Sequence, residues 1–160
     1  MTEKQILKKL KNDDEYYNGI GKNYLSNSNI QALTTEPRQF QAPQKDGEAF
    51  VKGRYFHQLI LEKEKAKDFP IIDAPSRSTK VYKEFIADNK LDYALLTKDA
   101  DHIKDMVDYT LESLPFFDLI NDPTAQYEVP AIGEIMGVMW KGKADILIPG
   151  KCVIDLKTSG

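Results

Sequence analysis

Cysteine is all but missing: one residue, Cys152, in a chain of 160. A lone thiol excludes a disulfide scaffold, a thiolate zinc site and a four-cysteine iron–sulfur cluster built within this chain. Histidine and tryptophan are scarce as well, with two and one residues. No apolar run approaches the roughly 18 residues that a membrane-spanning helix needs. The opening Met1-Thr2-Glu3-Lys4-Gln5 has no apolar stretch behind its charges and does not read as a secretory signal. Neither sign of charge dominates, with 22 Lys+Arg against 25 Asp+Glu and a formal net charge of −3. There is therefore no global pull toward nucleic acid, and any such binding needs a local basic surface. What is present, 41% hydrophobic and 29% charged residues, is ordinary for a globular protein. The length suits a single core, and the expected setting is the cytoplasm, with no membrane partner.

The chain carries no internal repeat. Its first 45 residues read as an irregular, polar segment with short helical pieces: Ile6, Leu7 and Leu10 form one apolar face, and Ser26 or Ser28 caps a turn carrying Ile30 and Leu33 that Pro37 ends. Gln41 to Gly47 reads as a loop. The spacing of Phe50, Val51, Phe56, Leu59, Ile60 and Leu61 predicts a helix over about Glu48–Lys67, closing in a charged turn. A helix over Lys80–Asp88 follows, with Val81, Phe85 and Ile86 on its face, and another from Thr97, carrying Ile103, Met106, Val107, Leu111 and Leu114 before Pro115. Beyond Asn121-Asp122-Pro123 the pattern becomes short apolar or alternating runs at 125–129, 133–140, 143–148 and 152–157, which predict a β-meander punctuated by Pro130, Gly133, Gly142 and Pro149-Gly150. Helices first and strands last point to helices packed on one mixed or antiparallel sheet.

The candidate chemistry lies in the last hairpin. Alternation puts Cys152, Ile154 and Leu156 on one face and Val153, Asp155 and Lys157 on the other, so Asp155 and Lys157 are about 6.5 Å apart along the strand. In an antiparallel hairpin Asp145 can lie across from them. Two carboxylates with an ammonium form a Mg²⁺ or Mn²⁺ site in which the metal polarises a phosphodiester and acidifies water, while the lysine steadies developing charge. The alternative is a surface hairpin with one cross-strand ion pair, and a bare Asp-x-Lys is weak evidence, since Asp88-Asn89-Lys90 repeats it in a helix-ending loop.

The order of motifs says more. Gly142-Lys143-Ala144-Asp145, a turn, and Val153-Ile154-Asp155-Leu156-Lys157-Thr158 resemble the core of the PD-(D/E)XK nuclease superfamily, especially its RecB-like and phage RecE-like exonucleases. Far upstream, Gly53-Arg54-Tyr55-Phe56-His57-Gln58-Leu59-Ile60-Leu61-Glu62 resembles the Gly-x-x-x-His-x-x-x-Leu-Glu helix of the same group, and Leu25-Ser26-Asn27-Ser28-Asn29-Ile30 with Pro37 and Phe40 resembles the opening of the RecE-like proteins. The resemblance implies an α/β, restriction-endonuclease-like mixed β-sheet with flanking helices. It also implies a metal held by His57, Asp145, Asp155 and the Leu156 carbonyl, with Lys157 assisting the attacking water and Asp145, Asp155 and Lys157 as the catalytic set. Glu128, in Tyr127-Glu128-Val129-Pro130, matches a glutamate that precedes the metal strands and is an accessory candidate. Arg54 and Lys143, with Lys52, Lys141 and Lys151, are candidate phosphate contacts. His57 on its own also reads as a satisfied histidine at the edge of an apolar stripe.

The implied activity is a divalent-metal-dependent DNA exonuclease working on duplex DNA in recombination or phage replication, in a bacterial or phage-infected cell. The resemblance covers about residues 25–158 and lacks the family's second core helix, last strand and Gln-x-x-x-Tyr motif. The expected organisation is accordingly a segment 1–45 followed by a nuclease core over 46–160 without its last helix and strand. The 152–157 edge would then invite a partner chain or a second copy to complete the sheet. The competing expectation is a catalytically incomplete, nuclease-like module that binds protein or DNA.

Overall fold

The computed structural model describes residues 1–40, 42 and 47–158, so most of the loop expected at 41–47 lies outside the described residues. In chain order the helices and strands are α1 (Glu3–Leu10), α2 (Asp13–Tyr17), α3 (Asn27–Thr35), α4 (Glu48–Leu61), α5 (Lys63–Lys67), β1 (Ile71–Ile72), α6 (Lys80–Asp88), β2 (Leu95–Leu96), α7 (Thr97–Leu111), α8 (Leu114–Ile120), β3 (Gln126–Ile135), β4 (Val138–Ile148) and β5 (Cys152–Ile154). They fall into two compact units, one of Met1–Pro43 with Thr124–Asp155 and one of Gln44–Pro123 with Leu156–Gly160.

The first unit is built on an antiparallel sheet of order β3-β4-β5. Its β3–β4 hairpin closes in two residues, Met136 and Gly137, both at positive φ (52° and 76°) between the pair Ile135↔Val138. Two left-handed residues in a two-residue loop make the turn that matches the sheet's natural twist. One run expected at 133–140 therefore folds back on itself instead of forming a strand, and Gly142 lies inside β4 where a break was expected. The second turn behaves as its composition predicts: Lys151 N–H donates to the Ile148 carbonyl at 3.0 Å, with Pro149 and the positive-φ Gly150 in the corner positions. One sheet face carries Ile146 and Ile148, both fully buried.

Before the sheet, α1 starts from Thr2, whose hydroxyl accepts from Gln5 N–H while Thr2 N–H donates to the Gln5 side chain. The face read from the sequence ends in Leu10, fully buried. Asn12 caps α2 through Glu15 N–H at 3.0 Å. Ser26 is the N-cap of α3, which ends before Pro37 as expected. Leu25 lies beside β4, donating to the Met139 carbonyl and accepting from Lys141 N–H.

The second unit packs α4 against α7. Val51, Tyr55, Phe56 and Ile60 are the buried stripe of α4, and Ala100, Ile103 and Val107 that of α7. The single helix expected to Lys67 is broken at Glu62 (φ −138°, ψ 57°), so α5 is separate. Phe50, expected in the stripe, is 62% exposed. The helix from Thr97 also stops early, at Leu111: Leu114 opens α8 with Pro115 in its first turn, where proline's missing N–H costs nothing. Lys80–Asp88 is helical as predicted, yet its buried residue is Tyr82 and Val81 faces out. The Tyr82 hydroxyl donates to the Ala94 carbonyl (3.0 Å) and accepts from Ala94 N–H (3.1 Å), which explains how a tyrosine is accommodated in this core. Two short parallel strands, with Ile71↔Leu95 and Ile72↔Leu96 paired, were not expected. Two-residue strands between helices leave no periodicity to read. No described helix is long and apolar enough to cross a membrane.

Candidate metal centre

In the first unit, two carboxylates lie close together across the sheet, with a third just past the end of β5. Glu128 and Asp145 sit between the flanking pairs Tyr127↔Ile146 and Val129↔Ala144 of the β3–β4 ladder. Asp155 follows the last β4–β5 pair, Ile146↔Ile154, one residue past the end of β5. Glu128 takes φ 50°, a left-handed backbone that costs a non-glycine residue about 1–2 kcal/mol. Its carboxylate and that of Asp145 offer oxygens within 4.8 Å of each other. That separation is the span of a single cation held at about 2.1–2.5 Å from each oxygen.

Burial differs among the three. Asp145 is buried (7% exposed), the one charged residue among the buried described set, whereas Asp155 is exposed. Glu128 has a cation beside it: Lys143 Nζ lies 3.4 Å from Glu128 and 2.7 Å from Asp13 of α2, with its side chain only 10% exposed. Burial works against the Lys143 charge, but the hydrogen bond to Asp13 and the two carboxylates raise its pKa above the ordinary lysine value.

In the second unit, His57 on α4 is half-buried, and its Nε2 lies 2.9 Å from the Leu156 carbonyl oxygen. Two adjacent ligands of an octahedral cation at about 2.1 Å are about 3 Å apart, so the same two atoms that share a hydrogen bond are spaced as neighbouring metal ligands. Gly53, one turn before His57, leaves room for the last described residues: a Cβ there would sit 3.4 Å from the Thr158 hydroxyl. Leu156 is buried while Lys157 and Thr158 are exposed. The strand expected over 152–157 stops at Ile154, although the expected in–out alternation persists, with Ile154 and Leu156 covered and Val153, Asp155 and Lys157 open.

The two carboxylates Glu128 and Asp145 supply hard oxygen ligands of the kind a divalent cation takes. Of the remaining candidates, Arg54 is exposed on α4, His102 is on the surface, and Cys152 is half-buried. Sequence reasoning missed Asp13, Tyr16 and Tyr17. Their relation to Lys141 and Lys143 spans about 125 residues of chain and leaves no local signal.

A helix bearing a half-buried histidine and an antiparallel meander bearing neighbouring carboxylates, on an α/β scaffold, define a PD-(D/E)XK-like nuclease fold. The chain belongs to the family described as PDDEXK-like domain of unknown function (DUF3799), whose model matches residues 22–160. It is also similar in fold to the crystal structure of a protein from Eubacterium rectale named "putative exonuclease", with a TM-score of 0.60 and 19% identity over 91% of this chain. The match covers 53% of that protein, so the chain spans about half the length of its solved relative. No curated protein matches the chain.

Proposed function

We propose that the chain is the metal-binding part of a divalent-metal-dependent DNA exonuclease, acting on duplex ends in recombination or phage replication. The observation that carries this reading is the close approach of the Glu128 and Asp145 carboxylates on neighbouring strands, in a family whose fold is nuclease-like. In the proposed site Asp145 and Asp155 hold Mg²⁺ or Mn²⁺, joined by His57 and the Leu156 carbonyl, with Glu128 as accessory ligand. A bound cation would polarise the phosphodiester and acidify its water. Lys157 donates a hydrogen bond to the attacking water and steadies the charge that develops as the new P–O bond forms and the old one breaks. Arg54 and Lys143 are proposed DNA contacts, and residues 46–160 the nuclease core behind segment 1–45.

A second reading is favoured by one observation: β5 ends the sheet, and among the described residues nothing pairs with its outer edge. In that reading the protein is a nuclease-like module completed by a partner chain or a second copy that adds a strand.

Calorimetric titration with Mn²⁺, followed by incubation of the same sample with linear duplex DNA, tests both. Metal binding with nucleotide release supports the exonuclease. Metal binding without release favours the incomplete module, and no metal binding removes the site.

A further inference from the structure

Beside the carboxylate pair, β4 carries two more side chains on the face of Asp145, at positions 143 and 141. Their ammonium groups lie over one aromatic ring: Lys141 Nζ is 4.3 Å and Lys143 Nζ 4.7 Å from the centre of Tyr16. Both are also near the ring of Tyr17, at 5.9 and 5.7 Å. The two rings meet edge to face at 4.9 Å. Tyr16 is buried and Tyr17 is 62% exposed.

The two cations are not equivalent. Lys143 has carboxylate partners in Asp13 and Glu128. Lys141 donates to the Tyr16 carbonyl oxygen and, among the described residues, forms no ion pair with a carboxylate. Half-buried next to a like charge, its pKa is lowered, first by desolvation and then by Lys143. A cation so placed gains from an anion brought to it.

We propose that Tyr17, Lys141 and Lys143 form a subsite for single-stranded DNA, with a backbone phosphate on the Lys141 ammonium and a base stacked on the Tyr17 ring. A positively charged track with an exposed aromatic ring is how proteins hold single strands without reading their sequence. Position explains the pairing with chemistry: alternate residues of a strand are about 7 Å apart, so Lys141 lies roughly 13 Å along β4 from Asp145, a few nucleotides from the proposed scissile phosphate. Lys143, paired to Glu128, is the link between subsite and metal site. The single-strand preference rests on the proposed nuclease reading only for where the strand is cut.

The test is binding of a fluorescein-labelled dT12 strand to the full chain in EDTA, where hydrolysis is suppressed. Tyr17→Ala should weaken binding roughly tenfold, with Tyr17→Phe close to the parent. Lys141→Gln should weaken it and reduce the slope of log affinity against log salt by about 0.7, the value of one phosphate contact on a single strand. Lys141→Arg should restore both. Melting curves check that each variant folds. Parent-like binding by Tyr17→Ala and Lys141→Gln would overturn the subsite, as would a parent chain that does not bind dT12. Mn²⁺ titration of the same variants, dialysed free of EDTA, separates the two readings. Loss of strand binding with intact Mn²⁺ affinity supports the subsite, whereas absent Mn²⁺ binding with the same strand-binding pattern defeats the nuclease site and leaves the subsite standing.

Discussion

Glu128 and Asp145 face each other across β3 and β4 with carboxylate oxygens within 4.8 Å. Like charges directly opposite in a sheet are destabilising, and Glu128 additionally holds a left-handed backbone. Lys143 beside Glu128 offsets part of that repulsion, and a cation at the proposed site would offset more. The melting temperature reads whether Asp145→Asn removes a ligand of that site. Saturating Mn²⁺ should raise it for the parent by mass action and leave the variant unmoved. Scanning calorimetry with and without Mn²⁺ reads both effects, and an Mn²⁺ shift in the variant would remove Asp145 from the site.

Asp155 and Lys157 should separate binding from chemistry. Asp155 is exposed, so Asp155→Ala should leave folding intact while abolishing Mn²⁺ affinity. Lys157→Ala should keep Mn²⁺ affinity and lower any nucleotide release by about 10²-fold or more, the usual scale for losing one charge-stabilising donor. Calorimetry and a nucleotide-release assay on the two variants decide it, and equal Mn²⁺ loss in both would merge the roles assigned to them.

The β3–β4 turn offers a control far from the carboxylates. Met136 is 98% exposed at φ 52°, where asparagine is the favoured residue before glycine. Met136→Asn should stabilise by about 1 kcal/mol, or roughly 3 °C in melting temperature, without changing Mn²⁺ affinity.

Acid sensitivity should trace in part to an ion network in the second unit. Glu48 pairs with Lys52 at 2.6 Å and with Arg77 at 3.0 Å, and Arg77 and Lys52 both reach Asp99. The Lys52 hydrogen bond, ahead of the Arg77 charge, lowers the Glu48 pKa below the carboxylate norm. A depressed carboxylate contributes stability above its unfolded pKa of about 4.3 and loses it as pH falls through the folded value. Glu48→Gln should thus cost about 0.5 kcal/mol at pH 7, small because the side chain is 47% exposed. The difference from the parent should shrink as pH falls below the unfolded pKa of about 4.3. Melting curves between pH 3 and 7 check it.

Much of the candidate site was legible because its residues are close in sequence or strictly periodic. The alternation through 152–157 predicts which side chains are covered, and Pro149-Gly150 predicts the turn that joins β4 to β5. The Gly53–His57 spacing likewise places glycine one helical turn from the histidine. Helix ends were read less well. Glu62 carries no breaking signal, and its non-helical backbone divides a pattern that looks continuous.

Sequence alone, then, determined the main helices ahead of the antiparallel meander, the last hairpin with its Pro-Gly corner, and the helix that carries His57, because periods of 3.6 and 2 and a Pro-Gly corner are local properties of the chain. Tertiary structure decided the rest. Met136-Gly137 is a weak turn signal, yet it sets the β3 register, and that register puts Glu128 across from Asp145. Tyr16 meets Lys141 across 125 positions of sequence. Such contacts follow from which faces are buried together when the chain packs, and no local pattern encodes them.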